Sequence, residues 1–200
     1  MYAKSKSVSK VRSLILIGIL NAILMVLVTI LGIAFGLIPV TGLLLPAIIA
    51  IPGGIVVMLM VAKAPIRGVF IITGILLGSF MMLVGDMPIL TICTIVGGIL
   101  AEAVFELMGR TKFIAGAISY TILMVGYAVG AYTPMVFMKE AYIDFKTSRG
   151  MDPAFYDKLL SMVNLPVFIA ALVVTAIAAY AGSLWGRKML RKHFTKAGIV

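Results

Sequence analysis

The sequence is poor in the residues that keep a protein soluble and in those that most enzymes use. Only 12% of its 200 residues are charged, about half the share usual for a soluble domain. It holds one histidine, His193, and one cysteine, Cys93, and it lacks the phosphate-binding motif GxxxxGK[ST]. These scarcities exclude an intrachain disulfide, a His-based metal site and ATP hydrolysis by this chain. We therefore expect no catalytic residue, no metal and no cofactor.

Apolar residues make up 62% of the chain, and they are gathered in six long runs. A helix needs about 20 predominantly apolar residues to cross a bilayer. The sequence therefore predicts an all-α polytopic membrane protein, a single integral domain over residues 1–200 with six transmembrane helices. Pro46, Pro52 and the Gly53-Gly54 pair predict interruptions of the second helix. The predicted spans are 13–36, 43–62, 68–84, 88–108, 113–137 and 163–185.

The lysines and arginines are distributed unevenly between the two sides of this arrangement. Of the 17, 13 fall at the N-terminus, in the second and fourth connections and in the C-terminal tail. Because lysine and arginine concentrate in cytoplasmic segments, both termini are predicted to be cytoplasmic and the protein to be a multi-pass plasma-membrane protein. The basic arm 1–12 and the basic tail 186–200 then lie inside, and the connection 139–162 lies outside. Charges placed between apolar runs argue against a nucleic-acid partner and favour membrane lipid as the partner of the tail.

Polar and aromatic side chains gather near the predicted outer ends of the helices. A small-molecule pocket is mostly apolar with a few placed polar groups, and it often lies between helices. We therefore predict a substrate-binding site there, although an interfacial aromatic belt would explain Tyr132 about equally well. In the outer connection, Asp152 before Pro153 predicts a short helix over 153–162. Its mixed charges favour a solvated cap, and the alternative is a segment that lines or gates the mouth of the pocket. The predicted substrate-binding residues are Asp86, Thr91, Tyr127, Tyr132, Thr133, Asn164 and Phe168.

Two carboxylates, Glu102 and Glu106, lie one helical turn apart in the fourth span, and Arg110 follows one turn later. Intramembrane carboxylates are often functional, which makes a proton site conceivable. The structural alternative pairs Glu106 with Arg110 and gives Glu102 a partner inside the bundle. We favour the structural interpretation for Glu106, and leave both open for Glu102.

Small residues four apart occur in the first span (Gly18 and Ala22) and the sixth (Gly182 and Gly186). Such pairs let helices approach closely in a membrane. For Gly182 and Gly186 we predict packing within this protein.

Three segments carry a resemblance to a known family: GRKMLRKHFTKAGIV (186–200), SRGMD (148–152) and GGILAE (97–102). With them, the chain resembles a substrate-binding S component of an energy-coupling-factor (ECF) transporter, of the Trep_Strep type. The resemblance implies capture of a vitamin-like small molecule from outside, in partnership with a transmembrane coupling subunit and two ATPases. It implies a substrate site under the GLIPVTG loop (36–42), and contact of the coupling subunit with Gly18 and Ala22.

The expected function is therefore substrate capture for an ATP-driven importer, not enzymatic catalysis. The alternative from a different class is a stand-alone proton-coupled secondary transporter that uses Glu102. A purely structural membrane protein is a third possibility.

Overall fold

The computed structural model describes residues 10–64 and 66–190, and over these residues the chain is helical without any strand. Five helices are long and apolar enough to cross a membrane, and a sixth, Val69–Val84, is shorter at 16 residues. This confirms the predicted all-α polytopic fold. In chain order the helices are α1 (Lys10–Gly36), α2 (Pro39–Leu43), α3 (Leu45–Lys63), α4 (Val69–Val84), α5 (Pro88–Met108), α6 (Phe113–Phe137), α7 (Lys139–Thr147), α8 (Pro153–Ser161) and α9 (Leu165–Met189).

The six long helices alternate in direction, so that their connections gather at two ends of the bundle. At one end, here called the basic end, Arg110 donates to the Ile66 carbonyl, and the Arg187 guanidinium lies 4.6 Å from the Phe113 ring centroid. The start of α1 also belongs to the basic end, since Ile17 packs with the final turns of α3. The contact between Arg187 and Phe113 places the last turn of α9 there as well. Residues 1–9 of the predicted arm and 191–200 of the predicted tail lie outside the described residues.

Glycines bring several of these helices into backbone contact. A side chain at Gly182 would meet the carbonyl oxygens of Ala50 and Ile51 on α3, and one at Gly186 would approach the Gly54 carbonyl oxygen to 2.9 Å. The predicted packing role of the small pair in the sixth span is therefore observed. Similar backbone contacts join α4 to α5 and α5 to α6, through the pairs Gly74–Gly98 and Gly97–Gly126.

The predicted interruptions of the second span are wrong. Helix α3 runs without a break from Leu45 to Lys63 with Pro52 inside it. Proline removes one backbone hydrogen bond, but neighbouring helices can hold such a helix together in a membrane. Here α9 packs closely along the Pro52 turn, and the Tyr120 hydroxyl of α6 donates to the Ala50 carbonyl at 2.8 Å.

Candidate substrate-binding cavity

Two short helices, α7 and α8, cover the end of the bundle opposite the basic end, and we call residues 139–161 the lid. Helix α8 begins as predicted, with the Asp152 carboxylate accepting a hydrogen bond from the Ala154 N–H at 3.0 Å. Helix α7 was not predicted. The Tyr142 and Tyr156 rings join the two helices edge to face, with their centroids 5.6 Å apart.

A cavity of about 150 Å³ lies between the lid and the ends of the long helices. Three of the predicted site residues line it: Asp86, Tyr127 and Tyr132. The lid lines one side of it with apolar, aromatic and charged side chains, and Gly36 at the end of α1 and Gly42 of α2 line another. The outer connection therefore lies beside the cavity, and its role as a gate stays a prediction. The lid residues that line the cavity are Tyr142, Lys146, Phe155, Tyr156 and Leu159.

An ion pair fastens the lid to the rest of the molecule. Lys146 Nζ of α7 lies 2.6 Å from Asp86 Oδ1 and 3.1 Å from the Gly85 carbonyl oxygen, in the turn between α4 and α5. Only 5% of Lys146 is exposed. In the sequence, Lys146 is recognisable only as one of the four basic residues of the outer connection. Its spacing of four residues from Tyr142, on one helix face, is the signal that could have placed it beside the cavity.

The four tyrosines around the cavity differ in what their hydroxyl groups contact. Tyr132 donates to the Leu43 carbonyl at 2.6 Å, and Tyr156 donates to the Met151 sulfur at 2.8 Å. The hydroxyls of Tyr127 and Tyr142 have no hydrogen-bond partner among the described residues, and both residues line the cavity. These two groups are therefore available to a bound molecule.

The other four predicted site residues do not line this cavity. Thr91 donates to the Gly78 carbonyl at 2.8 Å, and Thr133 donates to the Val129 carbonyl of its own helix at 2.6 Å. Asn164 starts α9 as its N-cap, since its side chain accepts from the Val167 N–H at 2.9 Å. Phe168 packs edge to face against Tyr132, with a centroid distance of 6.5 Å, and so supports the cavity wall from behind. Their direct contact with substrate stays a prediction.

The acidic pair of α5 lies at the basic end, away from this cavity. Glu102 Oε1 accepts from the Gly68 N–H at 2.7 Å, and Oε2 accepts from the Phe70 N–H at 2.9 Å, so the carboxylate caps α4. Arg110 Nη1 lies 2.9 Å from Glu102 Oε1 and also pairs with Glu106. The predicted contact between Glu106 and Arg110 is thus present, and Glu102 has structural partners at both oxygens.

The small pair of α1 lies on a surface that no other described helix covers. Gly18 and Ala22 are exposed, and a Cβ added at Gly18 would have no heavy atom within 4 Å. Asn21 points the other way: it is 1% exposed, and its Nδ2 donates to the Ile17 carbonyl and to Thr73 Oγ1. The outward face of α1 around Gly18 and Ala22 is therefore apolar, with isoleucines such as Ile15 and Ile19 exposed beside the pair.

The lid tyrosines predict how the lid responds to alkaline pH. Burial, reinforced by the negative charge of Asp86, raises the pKa of Tyr156 to about 12 and the pKa of Tyr142 well above its usual value. In an unfolded chain a tyrosine pKa is about 10. The folded lid holds these protons more tightly, so this contribution to its stability is complete below about pH 10 and is lost as pH rises towards 12 and beyond.

We therefore expect the lid to unfold cooperatively above about pH 10, and Tyr156→Phe to move the midpoint to higher pH. The phenolate absorbance and the near-ultraviolet circular dichroism, followed against pH, measure this transition. An unchanged or lower midpoint in Tyr156→Phe would contradict the assignment.

Within residues 10–64 and 66–190, no three His, Cys, Asp or Glu side chains come together as a metal site.

A family model described as "Hypothetical bacterial integral membrane protein (Trep_Strep)" matches residues 11–196 of the chain. No curated protein and no solved structure matches the chain. The family match covers nearly the whole chain, and its description agrees with the bundle of apolar helices. The chain therefore belongs to the Trep_Strep family of hypothetical bacterial integral membrane proteins.

Proposed function

We propose that this protein is the S component of an ECF-type importer of the plasma membrane, which captures a vitamin-like small molecule in the cavity beneath the lid. The observation that carries the proposal is the cavity itself. It is lined on one side by a two-helix lid that an ion pair holds to the bundle, in a membrane protein whose sequence offers no means of hydrolysing ATP. Such a protein can bind a solute, but a partner has to supply the energy for uptake.

The distribution of charge supports an outward-facing lid. Thirteen of the 17 lysines and arginines belong to the basic end or to the terminal sequence segments 1–9 and 191–200, and the lid has the other four. By the positive-inside rule, the lid then faces the medium and the basic end faces the cytoplasm. Substrate enters beneath the lid from outside.

The uncovered face of α1 supports a helical partner in the membrane. Without a hydrophobic driving force in lipid, helices associate where small residues permit close packing. Gly18 and Ala22 provide such a place, and the inward direction of Asn21 keeps it apolar. In this proposal a coupling subunit packs there and connects the protein to two ATPase subunits.

The alternative, a proton-coupled transporter that uses Glu102, is disfavoured by the surroundings of that residue. Both carboxylate oxygens accept backbone N–H bonds, and Arg110 pairs with one of them. Protonation of Glu102 would weaken these contacts. Glu102 also lies at the opposite end of the bundle from the cavity. A structural role explains its position better.

Ala22→Leu tests the proposed partner surface. The larger side chain should prevent close packing of a coupling helix, so we expect the yield of co-purified coupling subunit and ATPases to fall about tenfold or more. The measurement is a pull-down of the tagged protein after co-expression with an ECF coupling subunit and two ATPases. Ala34→Leu is the matched control, because it makes the same change at an exposed position about three turns further along α1.

Loss of co-purification in Ala34→Leu as well as Ala22→Leu would show a general effect of bulk on α1 and would refute the proposed surface. Failure of the unmodified protein to retain any partner would contradict the S-component function. Uptake of solute by the isolated protein in vesicles, driven by a proton gradient and abolished by Glu102→Gln, would establish the alternative.

A further inference from the structure

Building on the proposed function, we infer that the cavity selects a molecule with one planar ring and no net charge. In this assignment the polar edge of the ligand hydrogen-bonds to the Asp86–Lys146 pair, and these two residues determine which charge the site accepts. The size of the cavity, the charge of the pair and the free polar atoms each support one part of the inference.

The volume of the cavity indicates how much of a ligand it can enclose. A cavity of about 150 Å³ is comparable to a space that holds one benzene ring. Its lid wall is built from rings packed edge to face, with the Phe155 and Tyr156 centroids 5.1 Å apart and the Tyr142 and Tyr156 centroids 5.6 Å apart. Aromatic rings pack favourably against such walls in stacked or edge-to-face geometry. A single planar ring suits both the volume and the walls.

The charge of the site favours a ligand without net charge. Asp86 and Lys146 neutralise each other at 2.6 Å, and their side chains are only 25% and 6% exposed. A ligand carrying one charge would add an uncompensated charge beside this largely buried pair. Burying an unpaired charge costs binding free energy. A neutral or zwitterionic molecule leaves the site balanced.

The unused hydrogen-bonding groups define the polar edge of the ligand. Asp86 Oδ2 has no hydrogen-bond partner within the described part of the chain, because Lys146 contacts Oδ1. The hydroxyls of Tyr127 and Tyr142 are likewise available. A ligand that presents an N–H donor next to an acceptor can satisfy the carboxylate and a hydroxyl together. A heteroaromatic ring with an amino or amide substituent has this arrangement.

Three probes of nearly equal shape separate the effect of charge from that of size: neutral benzamide, anionic benzoate and cationic benzamidinium. Their binding to the full-length protein in nanodiscs is compared by saturation-transfer NMR at neutral pH. For the unmodified protein we expect benzamide to bind at least about fivefold more tightly than either charged probe. A preference for a charged probe, or no binding of any probe, would overturn the inference.

Changing one member of the pair should change the preferred charge. In Asp86→Asn the Lys146 ammonium becomes uncompensated, so benzoate should overtake benzamide, with a relative gain of about tenfold. In Lys146→Met the Asp86 carboxylate is left alone, and benzamidinium should gain by a similar factor. The double variant is again neutral and should return to a preference for benzamide, even if one of the single variants folds poorly.

Two substitutions outside the cavity are the controls. Asp144→Asn and Lys158→Met make the same chemical changes at exposed lid positions that do not line the cavity, and should keep the order of the unmodified protein. An identical probe order in all variants would show that the pair does not set the charge preference. Co-purification with ECF subunits is a separate measurement, so the inference about the ligand and the proposed function can fail independently.

Discussion

Gly182→Leu is expected to lower the free energy of unfolding by about 3 kcal/mol or more, or to prevent folding. The first atom of a side chain at Gly182 already collides with the carbonyl oxygens of Ala50 and Ile51. Backbone atoms cannot move aside as a flexible side chain can, so the cost should reach the upper range for overpacked cores. Thermal unfolding of the purified protein in detergent, together with its elution on size exclusion, measures the loss.

Gly18→Leu is the matched control for this prediction. It makes the same change at the first position of the other small pair, where an added Cβ meets no heavy atom within 4 Å. Its stability should not fall by more than about 0.5 kcal/mol, and the better helix propensity of leucine favours a small gain. An equal loss of stability in the two variants would contradict a role of Gly182 and Gly186 in packing α9 against α3. The two motifs look alike in sequence, but one lies in an internal contact and the other on a face that no other described helix covers.

Glu102→Ala is expected to cost about 3–5 kcal/mol, the range found when one partner of a buried ion pair is removed. Only 6% of Glu102 is exposed, and the substitution leaves the Gly68 and Phe70 N–H groups without their acceptor. Arg110 also loses one of its two carboxylates. Unfolding followed by helical circular dichroism measures the change.

Glu106→Ala provides the comparison, because its side chain is 35% exposed and caps no helix. Exposed ion pairs contribute about 0–1 kcal/mol, so this variant should be nearly as stable as the unmodified protein. A Glu102→Ala variant of unchanged stability would contradict the structural role of Glu102. It would also reopen the interpretation of Glu102 as a proton site.

The transmembrane helices could be predicted from the sequence because the signal is physically simple. A bilayer requires a minimum apolar length, and charged, glycine or proline residues end most of the runs. All six predicted spans correspond to helices, with ends that agree closely for α5 and α6. The prediction failed at Pro52, because tertiary contacts to α9 and α6 hold α3 together and these contacts are not local in sequence.

The direction in which each side chain points was harder to predict. In a soluble protein, apolar periodicity marks the buried face of a helix, but in lipid both the buried and the exposed faces are apolar. Thr91 and Thr133 were therefore grouped with Tyr127 because they lie at similar depth, yet only Tyr127 lines the cavity. The role of Asn164 could have been predicted locally, because an Asn two residues before a Pro at the start of an apolar run is typical of an N-cap.

The packing of the lid against the bundle was hard to predict for a related reason. Its segment is the most polar connection of the chain, and polar connections are usually solvated loops. Lys146 is buried only because Asp86, 60 residues earlier, lies opposite it. No local pattern predicts a pairing over such a distance. The aromatic residues at positions 142, 155 and 156 were the available indication that this segment has a packed face.

The short length of α4 has a consequence for the surrounding bilayer. Its 16 residues span about 24 Å, whereas the hydrocarbon core is about 30 Å thick. A helix this short ends inside the hydrocarbon layer unless the bilayer thins around it, and terminal N–H groups in that layer need a partner from the protein. Glu102, six residues before the end of α5 and thus about 9 Å in from that end, supplies carboxylate oxygens to the first N–H groups of α4. A carboxylate from the neighbouring helix thus lets the protein keep a helix shorter than the bilayer core without leaving these N–H groups unpaired.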